Sequence, residues 1–355
     1  MTRVFGRIGL LSYGWRGGLI GGLLFVLPGA VVIALLALGY AYLGQLPLVQ
    51  AAFVGIKAAV IVVVFQALRK VAGKALIGAQ GWALAVLSFL ALFVLGLPFP
   101  LIILAAGLWG MMAGGMGSAA PVSPAPSAPA HSLRTILIWG ALWPAPLVLL
   151  WGMGQDFLLQ LGLFFSKLAV VTFGGAYAVL AYMTQTVVQD YGWITTAQMI
   201  DALGLAETTP GPLILVTEFV ALLAGFAQGG IAGAVAAGLV ALWVTFTPCF
   251  LWIFLAGPYL ERISAQPRLS GALQAITAAV VGVIANLSIW FALHVLFADV
   301  APARLLAIPA PDLVSFQPAA ALLTVAAAVL MLGLRRGFVL SMAILAIAGG
   351  IIGLL

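Results

Sequence analysis

Leu205-Ala206-Glu207-Thr208-Thr209-Pro210-Gly211-Pro212-Leu213 is the stretch that decides how this chain folds. It lies between apolar runs, yet it holds an acid, two hydroxyls and a Pro-Gly-Pro. Neither proline has an amide N–H, and each biases the residue before it away from helical geometry. The backbone must therefore leave the helix here. Pro212 suits the first turn of a new helix running through Val216 and Val220. A second break, Thr172-Phe173-Gly174-Gly175, lies upstream. In hydrocarbon, non-helical backbone survives only where protein buries it or where it lines a wet cavity. Two such breaks flanking one segment mark a transport site, because helix N-termini aim free N–H groups at an anion. The plainer reading is a surface loop with helix-stop chemistry, into which Glu207 and Glu218 fit poorly.

Outward from the break, the composition sets the class. The chain is 65% hydrophobic and 6% charged, with a mean hydropathy of +1.26. Soluble domains average about 25% charged residues, so this is an all-α, polytopic membrane protein. The net charge of +6, from 14 basic residues, would suggest nucleic acid in a soluble chain. Here it belongs to the cytoplasmic flanks of helices, with lipid as the partner and no nucleic acid. Cys249 is the sole cysteine, and His131 and His294 are too few and too far apart for a metal cluster. No metal or cofactor is expected. The first apolar run, Leu19 to Leu43, is too long for a signal-peptide core and reads as a spanning helix.

A spanning helix needs about 20 apolar residues. Eleven candidates occur, at roughly 19–43, 49–69, 80–97, 100–116, 134–153, 157–183, 211–228, 230–256, 271–297, 318–334 and 337–355. The run 197–206 is too short to span and reads as a partial helix entering the Pro-Gly-Pro break. With the N-terminus inside, the cytoplasmic segments hold Arg3, Arg7, Arg16, Arg69, Lys70, Lys74, Arg134, Arg262, Arg268, Arg335 and Arg336. Arg304 falls outside, and Lys57 and Lys167 fall within spans. That asymmetry supports a cytoplasmic N-terminus.

Residues 117–133 form a Pro/Ala/Ser linker that cannot build a packed core. It separates a first half, 1–116, from a second half, 134–355, which holds both breaks. The halves repeat at an offset of 220: Pro28 matches Pro248, Pro47 matches Pro267, and Ile56, Ala58, Ala59 and Val60 match Ile276, Ala278, Ala279 and Val280. The matching spans are the first and the eighth, an odd number of crossings apart. The two copies are therefore expected to be inverted, with a site near their interface. By the same register, on the order of 55–65 residues carrying the first half's own breaks are expected upstream of residue 1.

Charged side chains inside spans cost roughly 2.5–3.5 kcal/mol near the helix centre, so each needs a reason. Lys167 leads into Phe173-Gly174-Gly175. It would supply positive charge for an oxyanion, or would snorkel to an interface. Glu207 and Glu218 are candidate proton carriers, since a carboxylate withdrawn from water favours its neutral form. Glu207 would alternatively cap the following helix and stay ionised. Lys57 and Gln66 fall at the repeat positions of Thr277 and Asn286, which suggests a polar contact between the copies for Gln66 and Asn286. Lys57 reads as a second cationic site or as a partner for Glu218. Tyr177 follows Phe173 by four residues, on the same helical face. Thr245 and Thr247 would satisfy carbonyls freed by Pro248. No nucleophile–base pair or phosphate loop is present, so an enzyme is not expected.

These residues resemble the chromate ion transporter family. The resemblance is carried by KLAVVTFGGAY (Lys167 to Tyr177), ETTPGPLILVTEF (Glu207 to Phe219), TFTPCFLWIFLAGPYLE (Thr245 to Glu261) and LQAITAAVVGVIAN (Leu273 to Asn286), and in the first half by GGLIGGLLFVLPG and VQAAFVGIKAAV. It implies a two-part transporter of a bacterial inner membrane that exports chromate and confers resistance, with sulfate as the structural analogue of its substrate. In the long form of that family each half carries its own FGG-type and PGP-type signatures; here the first pair is missing. The expected site takes the oxyanion on Lys167, Thr172, Phe173, Gly174, Gly175, Tyr177, Thr208, Thr209, Pro210, Gly211 and Pro212, with Glu207 and Glu218 coupling protons by alternating access. The alternatives are a passive anion channel or an inactive partner subunit that needs a second chain. Oligomeric state stays open, a homo-oligomer included.

Overall fold

A computed structural model describes residues 2–113, 129–171, 176–256, 266–302 and 308–353. The chain is helical almost throughout: α1 (Thr2–Leu43), α2 (Pro47–Ala75), α3 (Gly78–Phe93), α4 (Phe99–Ala113), α5 (Pro129–Leu142), α6 (Ala145–Gly152), α7 (Asp156–Val171), α8 (Ala176–Thr184), α9 (Thr196–Thr208), α10 (Val216–Ala256), α11 (Pro267–Leu296), α12 (Pro318–Ala328) and α13 (Phe338–Ile352). Among the described residues, five helical stretches are long and apolar enough to cross a membrane: 16–43, 47–75, 133–152, 213–255 and 267–296. Four shorter apolar helices accompany them. A two-stranded antiparallel ribbon, Val300–Pro302 (β1) with Pro309–Pro311 (β2), joins α11 to α12 and was not foreseen from the sequence.

Proline and glycine place the breaks. Both α2 and α11 begin at a proline, Pro47 and Pro267, the pair that the repeat offset aligns. Proline is tolerated there because the first-turn N–H has no intrahelical acceptor. The expected span 134–153 is divided into α5 and α6 at Pro144. Pro146 removes the donor that would serve the Leu142 carbonyl, and Trp243 Nε1 donates to that oxygen at 3.0 Å instead. The expected spans 211–228 and 230–256 are the two helical arms of α10, which turns back on itself at Gly229 and Gly230, where Gly230 has φ +57°.

The chain forms two compact units, each drawing on both sides of the linker: Met1–Ala41, Gly117–Thr172 and Thr209–Leu269 in one, and Tyr42–Met116, Phe173–Thr208 and Ser270–Leu355 in the other. The sequence halves 1–116 and 134–355 describe a repeat; the units describe packing. In the first unit α10 packs on α7 and α5. The buried stripe of α1, Val26, Ala30, Ile33 and Ala37, follows the spacing of one helical face. Gly225 lies so close to Gly233 and Ala237 that a Cβ on it would overlap the Gly233 carbonyl, so small residues let the two arms of α10 meet backbone to backbone. In the second unit Ala58, Ala59, Val62 and Val63 of α2 form a core with Leu323, Ala327, Met331, Met342 and Leu345.

Candidate functional site

The break belongs to the first unit. Residues 209–212 are non-helical, a 3-10 turn covers Leu213–Leu215, and α10 starts at Val216. Gly211 takes φ +135°, which an L side chain rarely adopts. Pro212 is extended and caps the turn, and the first bond of the new helix is Leu215 N–H to the Pro212 carbonyl at 3.0 Å. The amides before it, including those of Gly211, Leu213 and Ile214, have no acceptor in their own helix. Pro210 and Gly211 are exposed, and the following residues are half-buried.

Sequence reasoning missed what holds this turn in place. A Cβ on Gly29 of α1 would sit 2.5 Å from the Pro210 carbonyl oxygen and 2.6 Å from Leu215 Cδ1. The bare Gly29 backbone thus lies flat against Pro210-Gly211. The available signal was Pro28-Gly29 itself, at the register of Pro248. A short helix turn later, Thr217 Oγ1 donates to the Ile214 carbonyl at 2.8 Å. Glu218 follows, 3% exposed, with its Oε2 lacking a hydrogen-bond partner among the described residues. Thr245 Oγ1 on the other arm of α10 is equally buried and also has none.

The second unit gathers a separate set. Tyr177 on α8 donates its hydroxyl to Glu207 Oε1 on α9 at 2.5 Å. Next to it, Thr208 Oγ1 donates to the Leu205 carbonyl at 2.7 Å, so that hydroxyl proton is committed to its own helix. Lys57 of α2, which the sequence left open as a second cation or a partner of Glu218, has Asp201 of α9 as its partner, Nζ to Oδ1 at 3.4 Å. Asp201 was also missed, although an acid inside the apolar run 197–206 was visible. Gly204, three residues on, lets α9 approach α2: a Cβ there would meet Ile56 Cγ2 at 2.5 Å. Gln66 on α2 and Asn286 on α11 are both half-buried. Lys167 is exposed on α7, and Thr172, Phe173, Gly174 and Gly175 lie outside the described residues. Among the described residues, no three His, Cys, Asp or Glu side chains are grouped as a metal would require.

The break at residues 209–212, whose following amides lack intrahelical acceptors, and three acids, Asp201, Glu207 and Glu218, carried on helices of a strongly apolar chain, suit an ion-handling membrane protein. The family model described as Chromate transporter matches residues 1–111 and 159–354. The chain belongs to the chromate transporter family. Similar relatives include a probable chromate transport protein of Synechococcus elongatus, 28% identical over 79% of this chain and 67% of its own length. A chromate transport protein of Cupriavidus metallidurans is 29% identical over 78% and 65%, and one of Pseudomonas aeruginosa 31% over 78% and 64%. The chain therefore spans about two thirds of the length of these family members. No solved structure matches it. The family assignment agrees with the resemblance carried by the Phe173-Gly174-Gly175 and Pro210-Gly211-Pro212 motifs, and it makes the chain a multi-pass membrane protein of a transporter family.

Proposed function

We propose that the chain carries chromate, or a sulfate-like oxyanion of the same shape and charge, across the membrane by alternating access. The observation that carries this reading is the helix start after Pro212. It offers amides without intrahelical acceptors, on a backbone pinned by Gly29, in a chain of the chromate transporter family. Such a terminus combines N–H donors with the positive end of the helix dipole, so a dianion is favoured there. Thr209 adds an oxygen group at the turn, and Thr208 and Tyr177 join the site on the sequence argument. Lys167 and Thr172 through Gly175 join the site on the sequence argument. Glu218 is the principal coupling carboxylate, because a buried acid whose oxygen has no hydrogen-bond partner among the described residues is costly to the fold and calls for a functional reason. Glu207 is the second. The direction is export, from a bacterial inner membrane with a cytoplasmic N-terminus.

The test is chromate uptake into inverted vesicles holding this 355-residue chain, with and without excess sulfate. Saturable uptake with counterflow supports a carrier, and sulfate competition supports a shared site. Non-saturating conductance points to a channel. Activity that needs a second chain points to a partner subunit. Glu218→Gln is expected to change uptake and its pH profile; an unchanged pH profile removes that residue from the coupling role.

A further inference from the structure

We propose that Lys57 and Asp201 form a second anion site in which Asp201 holds the lysine until it takes up a proton, and the oxyanion then replaces the carboxylate on Lys57. The inference rests on oxyanion transport as the function and adds a residue pair and an order of events to it.

Depth is the first observation. Lys57 is the eleventh residue of α2, a helix of 29 residues. At 1.5 Å per residue it lies about 15 Å from the helix start, inside a stretch long and apolar enough to cross a membrane. An ionised side chain within such a stretch calls for a functional explanation. The second observation is the charge inventory around the pair. Besides α9, the helices packed most extensively on α2 among the described residues are α12 and α13, and neither carries an ionisable side chain. On α2 itself Arg69, Lys70 and Lys74 are exposed, more than two turns away. On α9 the other acid, Glu207, accepts from Tyr177. Asp201 is the carboxylate at contact distance from Lys57, 3.4 Å away.

Third, the fold does not require a charge here. The repeat sets Thr277 of α11 at the position of Lys57, and its hydroxyl bonds to the Leu273 carbonyl of its own helix at 2.6 Å. One repeat helix is built with an ion pair and the other without. Finally, the pair is unequally covered: the Lys57 side chain is 23% exposed and that of Asp201 5%. An anion arriving from outside reaches the lysine and not the aspartate. With Asp201 ionised the pair is neutral, and a dianion would meet the carboxylate's repulsion. When Asp201 gains a proton from water, its negative charge is lost and the oxyanion takes its place on Lys57. One proton is thereby taken up as one anion is bound.

Four chains are compared in inverted vesicles at equal protein content, with chromate uptake recorded from pH 5.5 to 8.5: wild type, Lys57→Met, Asp201→Asn, and the double variant Lys57→Met/Asp201→Leu. Each is also melted in detergent, so a folding defect is seen separately. Asp201→Asn is expected to bind chromate with little dependence on pH, its KM flat where that of wild type rises with pH. Lys57→Met is expected to raise KM at least tenfold at every pH. The double variant removes both charges, is expected to fold, and should retain that raised KM. Wild-type KM and pH profile in the double variant would overturn the proposal and leave the pair structural. If wild type itself moves no chromate, the proposed function fails instead, and the two failures are told apart.

Discussion

Gly29 and Gly211 decide the geometry of the break between them. A methyl on Gly29 would meet the Pro210 carbonyl at 2.5 Å, and that oxygen is backbone, unable to rotate away as a side chain would. Overpacking of this kind costs about 1–3 kcal/mol and displaces whatever it touches. Gly29→Ala is therefore expected to lower the melting temperature in detergent and to cut chromate uptake, with the larger loss in uptake. Normal uptake in a well-folded Gly29→Ala protein would show that the turn tolerates displacement. At this scale the sequence was partly legible. Pro210, Gly211 and Pro212 announce a break by chemistry alone, since a missing N–H needs no tertiary context. Gly29 and Asp201 do not announce themselves. Their importance comes from a neighbour some 180 and 140 residues away along the chain, and no local rule reaches that far.

Between elements, packing depends on small residues where helices touch without water. Gly55 of α2 lies against the Leu345 carbonyl of α13, and Gly349 of α13 lies 2.6 Å, as measured from a Cβ built on it, from the Ala51 carbonyl of α2. Ala51 and Gly55 are four apart, and so are Gly349 and Gly353, the spacing that lets two helix backbones approach. Lipid tails are as apolar as leucine, so this contact is held by close van der Waals approach rather than by the hydrophobic effect. Gly55→Leu is expected to separate α2 from α13 and to lower stability by several degrees in a detergent melt. Gly39→Ala in α1 is the control: no atom lies within 4 Å of its would-be Cβ. It should be neutral or stabilising by about 0.5–1 kcal/mol, the helix preference of alanine over glycine. Equal destabilisation by both changes would refute the close-packing account. Element positions were readable because the apolar runs are long. The division of 134–153 was blurred because hydropathy averages over a kink that one or two residues create, whereas the turn of α10 at Gly229-Gly230 falls where the runs 211–228 and 230–256 meet.

For the whole molecule, the repeat and the charge pattern make a topological claim. In a Cys249→Ser background, Ser123→Cys in the linker is expected to react with a membrane-impermeant maleimide in inverted vesicles and not in intact spheroplasts. Ala301→Cys, in the exposed ribbon after α11, is expected to show the reverse. The same side for both would refute the arrangement of eleven spans. The sequence by itself determined the membrane class, the helical build, the break at Pro210-Gly211-Pro212 and the family motifs. Each rests on a short-range property: hydropathy summed over a window, a proline without an N–H, or a run of residues that recurs. Only the tertiary structure decided which charges meet, that Lys57 faces Asp201 and Tyr177 faces Glu207, and that each compact unit takes helices from both sides of the linker. Those outcomes depend on which helices lie side by side. In a chain where nearly every helix is apolar on every side, periodicity carries no instruction about neighbours, and the choice is left to glycine contacts and a few buried polar groups.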